Sequence, residues 1–81
     1  MARRITLIGK PQCQLCDEMR SVIQSVCESH NLEFTELSVL DHPELAEKYW
    51  LDIPVVLVDE NVVSRWHLTA SDLEAALGVT S

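Results

Sequence analysis

Cys13-Gln14-Leu15-Cys16 sets two thiols three residues apart, a spacing at which they can close a disulfide or share a metal. If the pair opens a helix, Cys13 meets backbone N–H groups that have no intrahelical partner, and the positive end of the helix dipole. Both favour an anion. In such positions a thiol pKa near ~8.5 falls to roughly 3.5–7.5, so Cys13 is expected to be the nucleophile near neutral pH. Cys16, one turn inside, is better placed to attack a mixed disulfide than to start one. A metal site needs further ligands, and the chain has no second Cys-x-x-Cys and no pair of histidines at zinc-site spacing. Asp17 and Glu18 work against the dipole, because negative charge near a thiol raises its pKa even while it helps the helix.

The elements that must hold these thiols follow from the surrounding pattern. Arg3 to Ile8 reads as a strand, apolar on both faces apart from Thr6 and therefore internal, and Gly9-Lys10-Pro11-Gln12 as the loop that lifts Cys13 to a helix start. Leu15, Met19, Val22, Ile23, Val26 and Cys27 form a helical stripe, closed by His30 and Asn31, which predicts a helix over 14–30. Leu32 to Leu40 reads as a second strand whose alternation changes phase, through a bulge or burial on both faces. Asp41 or His42 caps a short helix with Pro43 in its first turn, running to about Trp50. Val55 to Val58 is a buried strand, Asp59 to Asn61 a polar turn, and Val62 to Trp66 an edge strand returning as a hairpin. Thr69 and Asp72 in near-capping-box spacing, with Leu68 and Leu73 as a hydrophobic staple, start a last helix at Ala70 that stops at Gly78.

Composition narrows the function further. Eighty-one residues are expected to make one domain spanning 1–81 with a modest core. Six Lys and Arg against thirteen Asp and Glu leave a net charge of −7, with no basic run to displace counterions from a phosphate backbone, so nucleic acid is not an expected partner. The apolar run after Arg3-Arg4 is too short for a signal-peptide core or a membrane span, which leads to the expectation of a cytoplasmic protein without a membrane partner. Three cysteines do not make a secreted disulfide framework. In a reducing compartment, a C-x-x-C near a βαβ pattern points to redox or metal chemistry.

Gly9-Lys10-Pro11-Gln12-Cys13-Gln14-Leu15-Cys16, with a lysine three before the first cysteine, and Ile53-Pro54-Val55 opening the third strand resemble the glutaredoxins. Within that superfamily the chain is similar to small bacterial glutaredoxin-like proteins with Cys-x-Leu-Cys followed by acidic residues, and with Asp-x-Pro-Glu-Leu, here Asp41 to Leu45. The resemblance implies an α/β, thioredoxin-like (glutaredoxin-type) β-α-β-α-β-β-α sandwich with a four-stranded mixed sheet. It implies a thiol-disulfide oxidoreductase with Cys13 as nucleophile, Cys16 as resolving thiol and no resident cofactor or metal. It also implies a cis bond between Ile53 and Pro54 close to the thiols, where the Ile53 backbone can pair with an extended substrate; Lys10, Gln12, Pro54 and Arg65 are expected as further substrate contacts. The alternative is a binding module of the same fold that holds a metal or iron-sulfur cluster through the same thiols.

The substrate is expected to be a protein or small-molecule disulfide, with glutathione or a thioredoxin-type reductase as electron donor and the protein itself a monomer. Two departures from the family pattern bear on this: Gln-Leu stands between the cysteines where Pro-Tyr is usual, and Arg65-Trp66-His67 replaces paired glycines after the fourth strand. Side chains there, with the net negative charge, predict weak glutathione binding. Asp72 corresponds to an aspartate that would take the tripeptide's amino group, but capping is expected to tie it to the last helix. Cys27, on the apolar stripe, reads as a buried inert thiol. Lys10 reads equally as a solvated lysine or as a stabiliser of thiolate or ligand carboxylate. His30 and His42 read as end caps or exposed residues, His67 as the histidine nearest the groove, and Trp50 and Trp66 as core in preference to the other reading, the lining of a substrate surface.

Overall fold

The structure, a computed structural model, describes residues 4–79; Arg3, placed by the sequence reading at the head of the first strand, lies outside them. The elements follow in the expected order: β1 (Ile5–Gly9), α1 (Gln14–His30), β2 (Phe34–Ser38), α2 (Pro43–Tyr49), β3 (Val55–Val58), β4 (Asn61–Arg65) and α3 (Ala70–Leu77). They build one four-stranded sheet in the order β2-β1-β3-β4. β1 runs parallel to β2 and antiparallel to β3, and β3 runs antiparallel to β4. The parallel pair needs a long crossover, which α1 supplies; the antiparallel pair β3 and β4 needs only a tight turn.

Alternation along the two central strands divides the core into two layers. Ile5, Leu7, Val56 and Val58 turn to the face covered by α1 and α3, where Met19, Ile23, Val26, Cys27, Leu73 and Leu77 meet them. Ile8, Val55 and Leu57 turn to the opposite face, with Val39, Tyr49 and Ile53, and Leu45 and Ala46 of α2 pack against this layer. Cys16 belongs to this second cluster although it starts α1, so the thiol end of the helix sits where the layers meet.

Local signals explain the boundaries. Asn31 adopts the left-handed conformation (φ 55°) and its N–H, like that of Leu32, closes on the Cys27 carbonyl. Thr69 caps α3 by accepting the Asp72 N–H at 3.1 Å, while Gly78 (φ 76°) ends it. Only this half of the expected capping box forms, so the Asp72 carboxylate is not bound to the helix start among the described residues. β2 is shorter than expected, without a bulge in its pairing to β1. Its change of phase reflects partial cover on both faces, Phe34 against the first cluster and Leu37 beside Leu45, Tyr49 and Leu57. His42 occupies the N-cap of α2 without a side-chain capping bond, and Trp50 falls at its C-cap. The hairpin turn is two residues, Asp59 (φ 52°) and Glu60 (φ 72°); Asn61 already pairs with Val58, and Val63 is the extra residue of a β-bulge. No helix among the described residues is long and apolar enough to cross a membrane.

Candidate functional site

The loop after β1 turns at Gln12, exposed and with a φ of 54°, and delivers Cys13 to the N-cap of α1. There the Cys13 Sγ accepts the Cys16 N–H at 3.1 Å. The two cysteines form a disulfide with their Cα atoms 5.2 Å apart, inside the range that a disulfide spans without backbone movement. Their surroundings differ. Cys13 is half-buried, whereas Cys16 is 1% exposed and pressed against Gly9, where an added Cβ would lie 3.1 Å from its Sγ.

Opposite this turn, the cis peptide between Ile53 and Pro54 opens β3. Ile53 shares its core cluster with Cys16, and Cys13 packs against the same cluster, so loop and thiols meet on one side of the molecule. The Ile53 N–H and C=O have no hydrogen-bond partner among the described residues, while the Pro54 carbonyl accepts the Trp66 N–H at 2.8 Å. Trp66 has a φ of 68°, the left-handed backbone that glycine adopts freely. Its indole N–H donates to the Leu51 carbonyl at 3.3 Å, and Arg65 Nε lies 3.4 Å from Asp52 Oδ2. Lys10 Nζ stands 5.6 Å from the centre of the Trp50 ring, a cation–π geometry.

Several expectations are corrected here. Trp50 and Trp66 are not core: they are 59% and 49% exposed, and Leu51, next to Trp50 in sequence and bonded through its carbonyl to the Trp66 indole, is 82% exposed. They flank the cis-proline loop instead. His30 is not a simple end cap, since its Nε2 lies 2.8 Å from Glu74 Oε2 and ties α1 to α3. His42 faces Glu44 at 3.4 Å, and exposed His67 donates its backbone N–H to the Arg65 carbonyl. Cys27 is buried and free, and burial pushes its thiol pKa up, as its place on the apolar stripe implied.

Two features of the site escaped the sequence reading. Gly9 seats Cys16, which no local pattern announces. Arg20 is a hub: its Nε and Nη2 fork onto Glu36 of β2 at 2.6 and 2.5 Å, and its Nη1 takes Asp17 at 2.7 Å. Those bonds, to Glu36 first and then Asp17, hold its pKa above the ordinary arginine value. The Asp17–Arg20 spacing could have signalled half of this; the Glu36 half depends on the sheet. A cavity of about 370 Å³ lies beside the hub, lined by Lys10, Pro11, Arg20, Glu36, Ser38 and Asp41 among others. Among the described residues no group of three or more His, Cys, Asp or Glu side chains is arranged to hold a metal ion.

Comparison with known proteins agrees with this architecture. A family model described as a glutaredoxin-like domain (DUF836) matches residues 4–78. Among solved structures, a protein of Nitrosomonas europaea superposes with a TM-score of 0.80 at 19% identity, over 95% of this chain and 93% of that one. A protein of X. campestris gives 0.75 at 23% identity over 95% and 99%. Thioredoxin 1 of Thermosipho africanus gives 0.62 at 18% over 93% and 94%. At these identities the likeness establishes a shared thioredoxin-type fold.

Proposed function

The chain belongs to the glutaredoxin-like domain family (DUF836), and from that premise we propose that it is a thiol-disulfide oxidoreductase working through Cys13 and Cys16. The observation that carries this reading is the asymmetry of the pair: Cys13 Sγ sits at a helix N-cap, accepting the Cys16 N–H, with Cys16 buried behind it. In the reduced protein the same N–H and the helix dipole would stabilise a Cys13 thiolate. That thiolate attacks one sulfur of a substrate disulfide, forming a Cys13 mixed disulfide and expelling the other sulfur as a thiolate. Cys16 then loses its proton, attacks Cys13 Sγ, and closes the intramolecular disulfide as the second substrate thiolate leaves. The substrate gains two electrons and the protein loses them; a thiol donor or a reductase restores the dithiol. The redox reading is favoured over a metal-holding one because the two thiols belong to no group of three or more His, Cys, Asp or Glu side chains arranged to hold a metal ion among the described residues.

For the substrate, we favour a disulfide within an extended polypeptide. The unpaired Ile53 backbone offers an edge to which such a segment can add as a strand, beside Pro54. Lys10 and Gln12 border the same approach, although Lys10 is engaged by Trp50 and Arg65 by Asp52. Glutathione is a weaker candidate, because the Trp66 side chain stands where the family's glycines let a tripeptide come close. The Asp72 carboxylate, unbound among the described residues, is the group that the amino end of such a tripeptide would meet. In this reading the protein acts as a cytoplasmic monomer with no resident cofactor.

The test is a redox titration of the purified protein followed by steady-state reduction of a protein disulfide and of a glutathionylated thiol. We expect a reversible two-thiol transition and faster turnover of the protein disulfide. Failure of the dithiol to reduce either substrate would overturn the oxidoreductase reading. Glutathione-dependent turnover matching that of ordinary glutaredoxins, lost in Arg65→Ala, would overturn the substrate preference.

A further inference from the structure

We propose that Arg20 is a positioning residue for the Cys13 thiolate, acting through Asp17: it binds the carboxylate that would otherwise oppose thiolate formation at the active-site turn. The inference rests on the reading of Cys13 as the reactive thiol.

Asp17 is the carboxylate one turn along from the nucleophile, its backbone N–H donating to the Cys13 carbonyl at 3.1 Å. A charge there acts on the same end of the helix whose dipole favours the thiolate, with opposite sign. Arg20 Nη1 meets that carboxylate at 2.7 Å, while the rest of its planar fork is fixed on Glu36. Glu36 is held on β2, paired with Leu7 of the central strand, so the guanidinium is anchored to the sheet rather than to the active-site turn. One guanidinium between two carboxylates leaves a single negative charge in the cluster, and Asp17 is the member in the first turn of α1, next in sequence to Cys16.

Of the other charges around the turn, Lys10 and Asp52 are engaged, while Asp41 and Glu18 are the same in every variant compared below. Lys10 from the preceding loop sits over Trp50, and Asp52 from the cis-proline loop faces Arg65 from β4. Asp41, from the segment after β2, lines the cavity with Lys10 and Arg20, and Glu18 is exposed on α1. A purely structural role for Arg20 has a different signature. An exposed ion pair contributes roughly 0–1 kcal/mol to stability, and its loss would leave a distant thiol's titration unchanged.

The experiment measures the pH dependence of Cys13 alkylation by iodoacetamide in the full chain carrying Cys16→Ser. Arg20→Gln is expected to raise the Cys13 pKa and slow alkylation below that pKa roughly threefold, a surface-screened Coulomb effect. Adding Asp17→Asn should return the pKa to the parent value, and ~1 M salt, with a Debye length of about 3 Å, should remove most of the deficit. An unchanged pKa in Arg20→Gln, or a rise that neither Asp17→Asn nor salt reverses, would overturn the proposal. Should Arg20→Gln fail to fold, Asp17→Asn alone decides. It leaves Arg20 paired with Glu36 alone and removes the cluster's net negative charge, which should lower the Cys13 pKa in a salt-sensitive way, and no change overturns the idea. The titration uses no disulfide substrate. The expected pKa pattern in an inactive protein would therefore refute the oxidoreductase reading alone, and an active protein indifferent to Arg20 would refute this inference alone.

Discussion

Cys13 and Cys16 share one turn of α1 but not one environment, and their variants should fail differently. Cys13→Ser is expected to abolish disulfide reduction. Cys16→Ser should leave a Cys13 that reacts once and stalls as a mixed disulfide, visible by mass spectrometry; faster labelling of Cys16 than of Cys13 in the reduced protein would reverse the assignment. Cys27 supplies the contrast. Cys27→Ala should keep activity and cost the ordinary ~0.5–3 kcal/mol of a point mutant, measured by denaturant unfolding. Because burial raises the Cys27 pKa, the folded state keeps this proton when the unfolded chain has begun to lose it. Its contribution is therefore intact below the ordinary value of 9.0 and lost as pH rises from there through the folded pKa, a dependence that Cys27→Ala should remove. The reactive pair was legible because its spacing and helix start are local. Gly9 and Arg20 were not, since each acquires its role only when β1 passes under Cys16 and β2 brings Glu36 to α1.

At the scale of elements, the helices were legible and the strand edges were not. α1 carries both its stop signal and its apolar stripe in its own residues, and α3 its Thr69 cap; the expected span 14–30 and start at Ala70 are those observed. β2 lost its ends because strand limits depend on the neighbour, and the Val63 bulge has no local marker. The β3–β4 turn makes a prediction of its own. Two-residue hairpin turns with positive φ at both positions favour Asn-Gly, whereas this chain has Asp59-Glu60, and Glu60 bears a side chain at φ 72°. Glu60→Gly should stabilise the protein by about 1 kcal/mol, read as a higher denaturation midpoint at unchanged slope. Thr69→Ala should cost ~1 kcal/mol through loss of the α3 cap.

Across the whole molecule, a net charge of −7 biases encounter before any contact forms. Exchange with an anionic small disulfide such as glutathione disulfide should accelerate as salt rises from about 0.01 to 0.15 M, where the Debye length contracts from ~30 to ~8 Å. Exchange with cationic cystamine should slow over the same range. Parallel salt dependences would mean that local charge near Lys10 and Arg65 outweighs the global field. At this scale the element order spoke for an α/β sandwich with a parallel pair and a terminal hairpin, and the thioredoxin-type architecture came with the resemblance carried by Cys13 to Cys16 and Ile53-Pro54. What the sequence hid is that both tryptophans lie outside the core, Trp50 beside Lys10 and Trp66 clasped to Leu51 and Pro54, at the end of the molecule that carries the disulfide. Excited indoles lose their emission by electron transfer to a nearby disulfide and recover it when that bond is cut. The chain thus carries its own optical gauge of oxidation state: reduction should brighten its intrinsic fluorescence, and Trp50→Phe and Trp66→Phe should divide the signal between the two reporters.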